Sequence, residues 1–516
     1  MNKVENRHTC TIVHNYDLGD CPFIEKMFSI WNKGRFRREP FGRYYDAKNK
    51  DLYLPSGMDQ FYIERNFYGD IIIKYEPDPY DTLNKIQMKI KPRDERQVEA
   101  LKFCVGADQY CANRERSQIF LNLHTGVGKT FVAIAVFAFY RIKTMMITYS
   151  LDWIQQWKER ILEYTDLKEE DIYIIAGKAS IVKLLNGLHN PRKIKFFLVS
   201  HDTISSYAKA NGWEKVHQLF KLLRVGIKIY DESHLYFENT MMIDNFSDVW
   251  KTYYLTATPM RSDRDQDRIY QRCYEKVPKL SLFDEENDPH TEYISIHFNS
   301  KPTPFEINDC HNMYGFNRNK YTDYLVSRPN YFKILRILME VISTNTTPEG
   351  KVLIYIGTNY AIGVTYNWLH YYFPRIPIGI YTSAVPKEIK RSQLDNKIIL
   401  STTKSAGEAL DLSGLEMTIV LDEPFKSPKL AIQSLGRTRA KDTKYIEVVD
   451  TGFKPISNFY KAKQEVFEKY ATKRTRINLS QEDLDSQVAS LDARDSELRN
   501  SINQNNLKTV IEFVNQ

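Results

Sequence analysis

Nowhere in these 516 residues is there an apolar run of the roughly 20 residues that a bilayer-spanning helix needs, which argues against a membrane protein of that kind. The opening, MNKVENRHTC, lacks the positive-then-apolar layout of a secretory leader. Cysteine is sparse: six residues, at positions 10, 21, 104, 111, 273 and 310, none of them in a CxxC pair. That spacing speaks against a disulfide framework and against a zinc site, and it fits a soluble protein of a reducing, intracellular compartment. Neither sign of charge dominates. Against 72 Lys and Arg stand 65 Asp and Glu, a net charge of +7 that gives a polyanionic partner only slight support.

What the chain does have is length and rings. It is long enough for several domains, with 42% hydrophobic and 27% charged residues, as in ordinary globular proteins. Its 34 Tyr and 27 Phe are read mostly as core, with a minority available to stack on bases. From about residue 117, short β-rich runs alternate with helix-length segments: SQIFLNL, KTMMITYS, IKFFLVS, VGIKIYD and TYYLTAT. After a polar break at SLFDEENDPHTEY and NSKPTPFEIND they resume as KVLIYIG, IPIGIYT, KIILSTT, MTIVLDE and KYIEVVD. Many are apolar throughout, as in parallel strands covered by helices on both faces. The expected fold class is therefore α/β, in two parallel-sheet domains. The boundaries read as an N-terminal accessory region at 1–88, a first domain with connector at 89–300, a second domain at 301–454, and a charged helical tail at 455–516. The tail segment SQEDLDSQVASLDARDSELRNSINQ is a candidate amphipathic or coiled-coil-like helix that could take a protein partner.

Chemistry begins at LHTGVGKT, residues 123–130. A strand (IFLNL) precedes it and an apolar helix (FVAIAVFAFY) follows, the context in which a glycine loop cradles phosphate with backbone N–H groups. Thr125, Gly126, Val127, Gly128, Lys129 and Thr130 would form that loop. Lys129 would reach the β- and γ-phosphates of ATP, and the Thr130 hydroxyl would hold Mg²⁺. About a hundred residues on, IYDESHL places Asp231 and Glu232 at the end of another apolar run. Asp231 would approach Mg²⁺, and Glu232 would orient and deprotonate the attacking water. A solvated acidic turn is the plain alternative for this pair. His234 is open between a coupling role and simple packing.

The loop, DESH and then LTATP (255–259), in that order, resemble the superfamily 2 helicases and translocases. Leu123 stands where the common loop pattern has glycine. A leucine there is similar to the subgroup of XPB-like repair helicases, phage branch-migration helicases and poxvirus-type transcript-release helicases. The resemblance spans roughly residues 90–455 and implies two tandem RecA-like domains with ATP held between them. Within it, LDWIQQW (151–157) resembles an LxxQW segment that contributes to nucleic-acid contact; an amphipathic helix anchored by Trp153 and Trp157 is the plain reading, and the two are compatible. Gln97 resembles the glutamine that reads adenine. STTKSAGEALDL (401–412) resembles motif V, with Gly407 and Asp411 facing the ATP sugar and the domain interface. QSLGRTRA (433–440) resembles motif VI through Gln433, Gly436 and Arg437. Its final arginine is displaced to Arg439, with Ala440 in the usual place, so either Arg437 or Arg439, or both, would meet the γ-phosphate.

The resemblance implies an ATP- and Mg²⁺-dependent motor on nucleic acid, with DNA favoured over RNA and no membrane partner. An RNA-acting transcript-release ATPase is the runner-up, and a weakly hydrolysing clamp or adaptor is the contrasting class. In WNKGRFRREPFGRYYDAKNK (31–50), basic residues interleave with Phe36, Phe41, Tyr44 and Tyr45, which suits either a nucleic-acid grip or a strand-and-turn domain with solvated charges.

Overall fold

The computed structural model describes residues 3–32, 35–67, 71–74, 76–123, 127–149, 151–187, 190–256, 261, 263–282, 291–313, 315–406, 412, 414–422, 425, 431 and 443–486. The chain divides into two compact units, residues 1–284 and 285–516. Each is built on a seven-stranded sheet whose described strand pairs are all parallel.

In the first unit the strand order is Ile172–Ile175, Phe196–Ser200, Thr144–Thr148, Ile227–Tyr230, Lys251–Thr256, Gln118–Leu123 and Lys279–Leu282. All six residues of Gln118–Leu123 are buried. Its neighbour in sequence, helix Lys129–Tyr140, buries eight successive residues from Phe131 to Ala138. A strand and helix this apolar can only sit in the middle of a layered domain, with both faces covered. The second unit orders its strands as Ile378–Tyr381, Ile398–Ser401, Lys351–Tyr355, Leu415–Val420, Thr443–Asp450, Thr291–Phe298 and Lys473–Asn478.

The ten apolar runs seen in the sequence are all strands of these sheets. Two strands of the second unit lie outside the expected domain. Thr291–Phe298, assigned above to the connector, pairs with Thr443–Asp450 and Lys473–Asn478, so this unit begins before residue 301. Lys473–Asn478 lies in the region expected to be helical. It is a sheet-edge strand, mostly exposed and rich in Lys and Arg (KRTRIN), and such strands carry no apolar alternation to betray them. Helices Lys454–Ala462, Gln464–Tyr470 and Gln481–Ser486 supply the helical part of the tail. The candidate coiled-coil segment beyond residue 486 lies outside the described residues.

The N-terminal region forms a five-stranded sheet in the order Tyr44–Asp46, Asp51–Pro55, Cys10–His14, Lys3–Asn6 and Ile71–Ile73. It does not stand alone. Val4, Val13, Phe28, Leu52 and Leu54 share one continuous core with Phe120, Ile147, Tyr230 and Tyr270 of the parallel-sheet domain. Polar staples reinforce that seam: the Thr9 hydroxyl donates to the Asp244 carbonyl at 2.7 Å, and Asp248 receives His8 and Lys74. Just beneath, Lys228 and Asp244 form a fully buried ion pair at 2.6 Å. The Tyr230 and Tyr254 hydroxyls both donate to the Asp244 carboxylate, at 2.8 and 2.6 Å, so the buried charge is saturated with partners.

Candidate active site

Strand Gln118–Leu123 runs into the glycine loop, and helix Lys129–Tyr140 begins directly after Gly128. Thr125 and Gly126 lie outside the described residues; Val127 is buried. Gly128 has φ of +101°, a backbone region in which side chains are rarely accommodated. A Cβ there would also fall 2.1 Å from the Gln97 amide nitrogen. Glycine is thus favoured by the backbone, and any side chain here would also displace the Gln97 amide. Gln97 itself sits in helix Glu95–Val105, whose N-cap is the Asp94 carboxylate accepting from the Gln97 N–H. Its side-chain N–H donates to the Val127 carbonyl at 3.0 Å, and its amide oxygen accepts from the Arg93 N–H at 2.8 Å. The structure brings Gln97 to the loop as a brace, with both ends of its amide engaged by backbone.

Lys129 and Thr130 occupy the first turn of the helix, where the unpaired N–H groups and the positive end of the dipole favour phosphate. The Lys129 ammonium meets Glu232 Oε1 at 2.5 Å. The DESH corner is pinned from both sides: Asp231 N–H donates to the Ile147 carbonyl and Ser233 N–H to the Leu255 carbonyl, each at 3.0 Å. Between them Glu232 has φ of +47°, strained for a residue other than glycine. Glu232 Oε2 is buried without a hydrogen-bond partner among the described residues, 3.4 Å from His234 Nδ1. Asp231 Oδ2 accepts from the Trp157 indole N–H at 2.8 Å. Burial, and then the neighbouring Glu232 charge, push the Asp231 carboxyl up to about 6.

The site continues outward from the carboxylates. His234 Nδ1 lies 2.6 Å from the Thr256 hydroxyl, at the end of the strand that separates the loop strand from the DESH strand. The His234 carbonyl accepts from Arg261 at 2.7 Å, and the Arg261 guanidinium lies over the rings of Phe41 and Phe237. In LDWIQQW the helix-anchor reading is realised: Trp153 and Trp157 are both buried on helix Leu151–Tyr164, which leaves the nucleic-acid reading of the segment standing beside it. The reach of Trp157 to Asp231 is new. The sequence marks the tryptophan but not its partner 74 residues away. Arg261 carried no recognised motif, although it stands two residues after Pro259 of LTATP. Gly407, Asp411, Gln433, Gly436, Arg437 and Arg439 all lie outside the described residues.

The donor set fits Mg²⁺ with a nucleotide. Mg²⁺ takes one or two protein oxygens and fills its shell with phosphate oxygens and water, which suits Thr130 and Asp231. A strained, partly buried Glu232 whose Oε2 has no hydrogen-bond partner among the described residues offers the acceptor a water would need. Among the described residues no helix is long and apolar enough to cross a membrane.

The chain's likenesses agree with this geometry. Residues 82–261 match the family described as the type III restriction enzyme, res subunit. The DNA 3'-5' translocase XPB2 of Sulfurisphaera tokodaii is 31% identical over 203 residues, 39% of this chain and 38% of that protein. The aligned part thus spans under two fifths of that relative's length. The structure of S. cerevisiae Dbp5 bound to RNA and ADP BeF3 shares the fold at a TM-score of 0.50 and 15% identity, covering 81% of this chain and 93% of that one. Both units carry the RecA-like parallel-sheet fold, and the likenesses of the first are to proteins of the helicase and translocase type.

Proposed function

We propose that the protein is an ATP-dependent nucleic-acid translocase or helicase acting on DNA. The observation that carries this reading is the continuous chain Lys129–Glu232–His234–Thr256, which joins the phosphate loop to the TAT segment through contacts of 2.5, 3.4 and 2.6 Å. With ATP bound, Lys129 would turn its charge to the β- and γ-phosphates, and Thr130 and Asp231 would hold a Mg²⁺ whose charge would offset that of the phosphates. Glu232, relieved of its ion pair, then accepts the proton of the attacking water. His234 senses that change through Glu232 and passes it to Thr256. In the second unit, Arg437 and Arg439 would stabilise the γ-phosphate charge, with Gly407, Asp411 and Gln433 about the sugar and the domain interface.

The printed activity of the Sulfurisphaera relative supports DNA as the track. The test is ATP hydrolysis with single-stranded DNA, forked DNA and RNA, beside Lys129→Ala and Glu232→Gln. Stimulation by DNA, abolished in both variants, is expected. Stimulation by RNA alone would overturn the choice of track. ATP binding without hydrolysis on any nucleic acid would make the protein a clamp.

A further inference from the structure

The N-terminal sheet region carries a separate two-stranded hairpin, Ser29–Asn32 against Arg37–Pro40. In an antiparallel pair, residues directly opposite share a face. One face holds Ile30 opposite Glu39 and Asn32 opposite Arg37. Ile30 packs on the shared core, and Glu39 accepts from Asn32 (2.8 Å), Arg35 (2.9 Å) and Arg37 (3.4 Å). This face is anchored and its positive charge is largely compensated.

The other face holds Trp31 opposite Arg38. Trp31 is 52% exposed, and among the described residues Arg38 reaches only the neutral Ser29 hydroxyl, at 3.3 Å. Immediately before the second strand, Phe36 is 82% exposed with φ of +48°, a strained backbone that presents its ring to solvent. Of the rings in the aromatic–basic stretch, Phe41 is buried and Tyr44 and Tyr45 are partly buried, so those three are structural. The rings left outside are Trp31 and Phe36.

We propose that the Trp31–Arg38 face, with Phe36 beside it, grips single-stranded nucleic acid. Every base offers a π-face to an exposed ring, and a guanidinium without a carboxylate partner among the described residues suits the phosphate between bases. The grip is rigidly mounted. Its second strand leads into Phe41, whose ring centroid lies 5.3 Å from that of Phe237 and under the guanidinium that binds the His234 carbonyl. At the next residue, Gly42, a Cβ would meet Ile269 at 2.8 Å, so the hairpin base is seated tightly on helix Arg264–Cys273. A strand held here pulls directly on the backbone next to the DESH corner. The inference rests on the nucleic-acid reading above.

The test is anisotropy of labelled oligothymidylate and oligouridylate with the full chain, for wild type, Trp31→Ala, Arg38→Gln and Arg37→Gln, at several salt concentrations. Trp31→Ala is expected to weaken binding about tenfold, the scale of one lost base stack. Arg38→Gln should lower the salt slope by about 0.7, one phosphate contact on a single strand. Arg37→Gln, on the compensated face, should change little, and unstimulated ATP hydrolysis should match wild type in all three variants. A larger loss with one oligomer identifies whether the gripped strand is DNA or RNA. Wild-type binding by both Trp31→Ala and Arg38→Gln would overturn the inference even if hydrolysis is stimulated. Weakened binding in a protein whose hydrolysis no oligomer stimulates would leave the grip standing and remove the motor.

Discussion

Asp231 sits where two requirements conflict. The fold makes its negative charge costly, through burial and the adjacent Glu232, while the metal-holding role proposed for it would need that charge. Its folded pKa of about 6 lies above the ordinary 3.8, so between those values the folded protein holds more protons than the unfolded chain. Stability without nucleotide therefore falls as pH rises through that window, and the cost is fully present above it. Asp231→Asn should raise the thermal midpoint at pH 7.5, a gain on the order of 1–3 kcal/mol, and abolish Mg²⁺-dependent hydrolysis. Calorimetry at pH 5 and pH 7.5 checks the sign: the gain should shrink at the lower pH. The neighbouring loop is as exacting. Gly128→Ala combines an unfavourable φ with the 2.1 Å approach to Gln97 and should cost about 1–3 kcal/mol together with nucleotide affinity, measured by urea unfolding and nucleotide titration.

At the scale of elements, the strand ending in Thr256 lies between the loop strand and the DESH strand, with Thr256 in register with Asn122 of the one and its hydroxyl against His234 beyond the other. Thr256→Val keeps shape and removes the hydroxyl. It should leave unstimulated hydrolysis within about twofold and reduce nucleic-acid stimulation by tenfold or more, since about 1.4 kcal/mol is a factor of ten in rate. Steady-state hydrolysis with and without DNA decides between coupling and packing for His234. Elements of this kind were legible in the sequence wherever burial imposed its pattern: the ten apolar strands, the helix after Lys129, the acidic strand end. Strands Thr291–Phe298 and Lys473–Asn478 were hidden because one abuts a polar connector and the other is an exposed edge. The Trp157–Asp231 and Arg261–His234 contacts were hidden for a different reason. Each joins segments far apart in the chain, and no local spacing encodes which carboxylate or carbonyl a side chain will meet.

At the scale of the whole molecule, the N-terminal sheet and the first RecA-like domain share one core and one buried charge cluster. Asp244→Asn would leave Lys228 uncompensated and two tyrosines competing for a weaker acceptor, a loss of about 3–5 kcal/mol. Adding Lys228→Met should recover part of it, and urea midpoints of the single and double variants measure the coupling. For the same reason, deleting residues 1–74 should strip the domain of part of its core and lower its thermal midpoint, and the accessory sheet should show no separate unfolding transition.

The shared core also dictates an order of events on the ribosome. Thr9 waits for a partner 235 residues further along the chain. At about 5–20 residues per second, the first strands spend roughly 12–50 s as nascent polypeptide before Asp244 has even been made. Through that interval the strands can pair with one another, but the apolar face they share with the later domain stays uncovered, which makes this region a natural client for a holding chaperone during synthesis.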